Sequence, residues 1–305
     1  MVSADLRSFG TIGFQDFWLA RHNIKPENLP KVLADSCFKN NVSITAITSE
    51  DDKMVQGMPE DRFGYFRSLL RNLPGNYAFN ELDENLVRIR RDREIVYFLN
   101  SETIHAPHGT DWNGLKAHII GANMLKKDYQ KIEDVAMYAQ DKGLLSFLTG
   151  IHNSSACKNM ATGVIDNFDG VITYDSNNCI NPKVVRVASR FVPKINKLWR
   201  YTRSSNDAAK LISNIGNKPG IAVSSSHWPH QMGRAMIALY SKGIILEDIE
   251  GIEDMVQILS YSFKSREYDS FKRDENHPLR VMYLASELAI YAKPSTYRGS
   301  LSSYN

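Results

Sequence analysis

The sequence predicts an α/β fold on a parallel sheet, open or closed into a barrel, followed by a helical C-terminal part. Three observations lead there. Short β-branched and aromatic runs alternate with segments of three- and four-residue apolar spacing as far as Tyr240. Several of those runs end in a polar group, which is how a parallel barrel presents a site at one end. Beyond Gly243 the alternation stops, and Ile252 to Phe263 and Arg280 to Tyr291 both read as helices. The expected organisation is a barrel over 1–240 and a helical segment over 241–305 packed on it.

The elements follow in order. Leu29, Val32, Leu33 and Cys37 give one apolar face to a first helix, and Pro26 sits where an opening turn tolerates proline. Ile44 to Thr48 is short and β-branched, hence a strand. Ile95 to Leu99 is the next, and His118-Ile119-Ile120 lies in another. Asp128 to Gln140 reads as a helix, with Ile132, Val135 and Ala136 on its apolar side and Gly143 as a stop signal. Leu144 to Leu148, Gly170 to Tyr174 and Ile221 to Ser224 are further strands. Lys264 to Asn276 reads as a charged connection between the two late helices, and Thr296 to Asn305 as a loose end.

Composition narrows the function classes. The 305 residues are 43% hydrophobic and 23% charged, an ordinary globular balance with enough sequence for a full core. The net charge of +3 does not by itself argue for nucleic acid. Cys37, Cys157 and Cys179 are scattered and form no Cys-x-x-Cys pair, which suits a reducing compartment. Met1 onwards lacks a basic-then-apolar leader, and no run approaches a membrane span. The expectation is a soluble, cytoplasmic protein with no membrane partner.

The chemistry-bearing residues come in short motifs. They are Asp5-Leu6-Arg7-Ser8-Phe9, Ile47-Thr48-Ser49-Glu50, Ser101-Glu102-Thr103, His118-Ile119-Ile120-Gly121, Ile151-His152-Asn153, the run from Asp169 to Asp175, and Ser224-Ser225-Ser226-His227. His, Glu and Asp at strand ends are the donors that hold Zn²⁺, Mn²⁺ or Fe²⁺. Each residue also has a plainer reading. His118, between Ala117 and Ile119, suits a hydrogen-bonded core histidine, and Glu50, before Asp51 and Asp52, suits an acidic loop. Arg21-His22-Asn23 suits a solvated loop, as do His105 and His108 around Pro107.

In order and spacing these seven motifs resemble the PHP (polymerase and histidinol phosphatase) family. The resemblance runs from Val2 to Tyr240 and implies a distorted (β/α)7 TIM-like barrel with up to three divalent metals and phosphate-ester hydrolysis. It also implies where this chain departs. Two histidines of the first motif are Arg7 and Phe9, and an aspartate of the last is Ser225. Those groups serve largely one metal position. One remaining position would use Glu102, His118 and His152, and the other His22, Glu50 and His227, with Glu102 bridging. The implied protein is a two-metal phosphoesterase of Zn, Mn or Fe, with Glu102, Arg7 and His227 as its catalytic groups. Arg7 would stand in for the third ion, since a guanidinium can grip phosphate with two hydrogen bonds. The substrate would be a phosphorylated small molecule, a nucleotide or a nucleic-acid end. The alternative is a metal-free PHP-fold scaffold or binding protein. Basic residues at Arg88, Arg90, Arg91 and Arg93, and at Lys194, Lys197 and Arg200, would suit nucleic acid or simply solvated faces.

Overall fold

The computed structural model describes residues 1–8, 25–50, 61–105, 115–121, 131–151, 154–175, 186, 189–190, 194–225, 232–240 and 244–272. Its sheet begins with β1 (Val2–Ser8), β2 (Ile44–Glu50), the β3 (Ala78–Asp83) and β4 (Leu86–Arg91) hairpin, and the long β5 (Glu94–His105). It continues with β6 (Lys116–Ile120), β7 (Leu145–Thr149), β8 (Gly170–Asp175) and β9 (Gly220–Val223). The last strands are β10 (Ala235–Leu239) and β11 (Tyr268–Lys272). Their order is β11-β10-β1-β2-β5-β6-β7-β8-β9, with β3 and β4 added beside β5.

The sheet curls until its ends meet. Beyond β9, the Ser225 N–H donates to the Arg7 carbonyl at 2.9 Å, which brings that end back to β1. At the other end of the seam the Tyr268 and Ser270 hydroxyls of β11 donate to the Gly220 carbonyl at 3.3 and 3.4 Å. The result is the expected α/β architecture, a nearly closed barrel. It is not uniformly parallel. β6 runs antiparallel to both β5 and β7, and β10 and β11 are antiparallel additions beside β1.

Helices cover the outside. α1 (Leu29–Lys39) follows a 3-10 turn that contains Pro26, and buries Leu29, Leu33 and Cys37 at four-residue spacing. α2 (Arg62–Ser68) starts on Asp61, whose carboxylate accepts from Gly64 N–H at 2.8 Å. These two pack against Ile47, Val96 and Phe98. On the opposite side α3 (Ile132–Asp141), α4 (Ser155–Val164) and α5 (Lys194–Ile215) cover Ala117, Ile119, Leu148 and Val171. The interior is a separate apolar column that includes Leu6, Ala46, Leu99, Phe147 and Val223.

α6 (Ile252–Ser265) closes the barrel at the N-terminal ends of its strands. Met255, Val256, Leu259 and Phe263 join the interior column, and Phe263 meets Phe147 edge to face at 5.4 Å. Gly121, at the end of β6, has φ +110, which strains any side chain, and a built Cβ there would lie 3.1 Å from Val256 of the helix. The late helix is therefore as expected over Ile252–Phe263. The charged connection after it contains β11, which completes the sheet beside β10. The expected helix at Arg280 to Tyr291 lies outside the described residues. No helix among the described residues is long and apolar enough to cross a membrane.

Candidate functional site

Strand alternation decides which side chains reach the barrel interior, and two irregularities change the answer. In β1, Asp5 pairs with Thr45 but Ser8 pairs with Ile47, so Leu6 and Arg7 together stand opposite the inward-facing Ala46. The extra residue turns Arg7 into the barrel. In β8 the register also slips, so that Tyr174 opposes Ala222 and Asp175 opposes the inward-facing Val223. Arg7 and Asp175 thus meet above the apolar column, at the C-terminal mouth.

They form a polar set with Ser225. Arg7 Nη1 donates to Asp175 Oδ2 and to Ser225 Oγ, both at 3.1 Å. Ser225 Oγ in turn donates to Asp175 Oδ2 at 2.7 Å. Ser225 holds this place with φ +45, a left-handed conformation that costs a side-chain-bearing residue energy. Arg7 is only 6% exposed, so its charge is met here by a carboxylate rather than by water.

Asp5, one turn of the bulge earlier, is fully buried on the other face of β1. Its carboxylate accepts from Ser224 N–H at 3.0 Å, from Gly233 N–H at 2.9 Å, and from the Ser224 hydroxyl. Burial pushes this carboxyl up to about 6, against the pull of those hydrogen bonds. It also helps to push the nearby Cys37 thiol up, after burial itself.

His118 lies on the inward face of β6. Its Nε2 donates to the Leu6 carbonyl at 2.7 Å, across the barrel, and its Nδ1 is 3.2 Å from Thr103 Oγ1. A carbonyl can only accept, so Nε2 carries the proton and Nδ1 accepts from the threonine. Both ring nitrogens are therefore engaged.

Glu102 is 1% exposed, but on the opposite face. It pairs with Ile119 of the outer helical layer, whereas Thr103 pairs with His118. Its neighbour across β2 is Ser49, whose hydroxyl accepts from Arg62 N–H at 3.1 Å beneath α2. Glu50 stands opposite Thr103 in the register, so Glu50, Thr103 and His118 occupy one row across β2, β5 and β6. His22, His152 and His227 lie outside the described residues.

The structure thus brings Arg7 together with Asp175 and Ser225, places His118 on the same interior face, and separates Glu102 from both. Among the described residues no three of His, Cys, Asp and Glu converge as a metal cluster would require. The described residues alone do not fit a divalent ion. Asp175 closes the Asp169 to Asp175 motif, but sequence reasoning gave it no role at the site. Its signal was present: Gly170 to Tyr174 is a strand, and Asp175 is the polar residue at its end.

Two residues of the first basic segment have partners. Arg91 pairs with Asp35 at 2.8 Å and with Glu94 at 2.7 Å, and Arg88 donates to the Glu247 carbonyl at 3.3 Å. The side chains of Lys194, Lys197 and Arg200 lie outside the described residues.

No family model matches the sequence, and no curated relative matches it. Solved structures are similar to it at low identity. A two-domain protein containing a predicted PHP-like metal-dependent phosphoesterase, from Bacteroides vulgatus, is 11% identical over 89% of this chain, with a TM-score of 0.46. The lesion-specific endonuclease PfuEndoQ of Pyrococcus furiosus is 11% identical over 83%, at 0.42. PsfC of Pseudomonas syringae is 10% identical over 95% of this chain and 98% of its own, at 0.49. The chain spans 65% of the Bacteroides protein and 56% of the Pyrococcus protein. At this level of likeness none of the three carries a conclusion about the chemistry of this chain.

Proposed function

We propose that the chain is a phosphoesterase of PHP type that works at the C-terminal mouth of its barrel with fewer than three metal positions. The observation that carries this reading is Arg7. A bulge turns it inward, and Asp175 and Ser225 hold it at the place where the resemblance puts the ligands of one lost ion. A buttressed guanidinium there supplies fixed positive charge for the oxygens of a phosphate ester. The substrate would be a phosphomonoester, a nucleotide or a nucleic-acid end.

Metal in this reading is Zn, Mn or Fe held by Glu50 and His118, which share a register row, with His22, His152 and His227. Such an ion would activate water and polarise the ester. Glu102 lies on the outer face in the register, and in this reading it is a structural carboxylate rather than the bridging ligand.

A second reading, a metal-free barrel that binds without turnover, is favoured by the two hydrogen bonds that occupy His118. Elemental analysis of protein purified without chelator or metal-affinity resin separates the two, together with a screen of phosphate monoesters and 5′-phosphorylated oligonucleotides. About two equivalents of metal with turnover is the expected result. Protein that carries no Zn, Mn or Fe, takes none up on reconstitution and turns over no ester establishes the second reading.

A further inference from the structure

The opposite end of the barrel holds a second concave site, independent of the mouth. A cavity of about 350 Å³ opens between the starts of β7, β8 and β9 and the C-terminal end of α6. The half-buried Pro219 lines it, with the core residues Leu145 and Phe263 behind, and its rim carries Lys218, Lys264 and Arg266. None of these three cations forms an ion pair with a carboxylate among the described residues. The cavity's own carboxylate, Asp169, turns one oxygen to Ser146. It accepts from Ser146 N–H at 2.9 Å and from the Ser146 hydroxyl at 3.1 Å.

Part of this charge has a structural task. Lys218 Nζ donates to the Asp166 carbonyl at 3.0 Å, and Arg266 Nη2 donates to the Asn217 carbonyl at 3.1 Å. Cations at carbonyl-rich helix ends are ordinary. Among the described residues Lys264 has no such task. Arg266 also occupies the position after α6 where the backbone is left-handed, φ +57, and where glycine is the common choice. The fold keeps a long cationic side chain there, and Asn217, itself at φ +49, faces it across the rim.

From this we infer that the cavity at the N-terminal end of the barrel binds a small organic phosphate, its phosphate among Lys218, Lys264 and Arg266 and its apolar body on Pro219 and the aliphatic stems of the two lysines. Three cations with no carboxylate partner among the described residues, set around Pro219, match a dianion with a carbon skeleton. The site is remote from Arg7 and Asp175, so its ligand is not the substrate of the mouth.

The test uses phenylphosphonate, which no phosphoesterase can hydrolyse at its P–C bond. Backbone amide shifts of the whole chain are followed by NMR at constant ionic strength, with sodium sulfate as a control. Saturable shifts at Asn217, Lys264 and Arg266 are expected. The double variant Lys218→Glu/Lys264→Glu, with the single variant Lys264→Glu of the exposed lysine beside it, should weaken binding at least tenfold while circular dichroism and any turnover at the mouth stay as in the parent. Three results overturn the proposal: shifts confined to residues near Arg7 and Asp175, equal shifts with sulfate, or unchanged affinity in the double variant. Loss of turnover with intact binding here would count against the phosphoesterase reading and not against this site.

Discussion

Asp5 is a carboxyl placed where its charge is costly. Its folded value of about 6 lies above the ordinary 3.8, because burial outweighs the donors from Gly233 and Ser224. The folded state therefore holds the proton more tightly than the unfolded chain. The stability that this proton contributes is fully present below 3.8 and is lost as the pH rises through about 6. The size of the effect is about 3 kcal/mol. Asp5→Asn removes the titration, so urea unfolding between pH 4 and 7 should lack that decline, with an added constant loss because one carboxylate acceptor becomes a donor. A variant that declines as steeply as the parent would assign the titration to another group. Arg7 illustrates the converse. Its charge is tolerated because Asp175 is within hydrogen-bonding distance, and Ser225 accepts a strained backbone to complete the set.

Glu102 shows what one residue of register means at the scale of an element. It sits between Ser101, which faces the barrel and is 2.9 Å from Thr48 Oγ1, and Thr103, which faces His118. Alternation sends Glu102 out beneath the helices. Glu102→Ala should cost about 2–3 kcal/mol, since it removes a buried, bonded carboxylate, and should leave metal content per folded protein unchanged. Urea denaturation and elemental analysis check both. Normal stability with lost metal would return Glu102 to the ligand set. Most strands and the first, third and last described helices were legible from apolar spacing: Leu29 to Cys37, Ile44 to Thr48, Ile95 to Leu99 and Ile252 to Phe263 all appear where the periodicity puts them. Strand direction was not legible, because alternation is the same whichever way a strand runs, and β6 is reversed. Bulges were not legible either. The inserted residue at Arg7 leaves no trace in composition, yet it decides that Arg7 faces the barrel. β11 was hidden by its charge, since Tyr268 to Lys272 is mostly exposed and carries no apolar stripe.

As a whole, the molecule is a curled sheet whose two ends differ in chemistry: a mouth where charges are paired internally, and a base, plugged by α6, where cations gather around a cavity. What joins the curl into a barrel is a seam between the beginning of the chain and its last third. Arg7 and Ser225 are 218 positions apart in sequence, whereas β5, β6 and β7 pair with near neighbours. Closing so long a loop is entropically late, because local pairings repay their ordering first. The seam is expected to form after the folding transition state, with the equally non-local pairing of β1 and β10. Arg7→Ala should lower stability by about 1–3 kcal/mol. Stopped-flow kinetics should show that loss almost wholly as unfolding about 10- to 100-fold faster, with refolding nearly unchanged. Slowed refolding instead would mean that the seam nucleates the barrel. Late closure makes the lifetime of the folded barrel, rather than the speed of its assembly, the quantity that the Arg7–Asp175–Ser225 set controls.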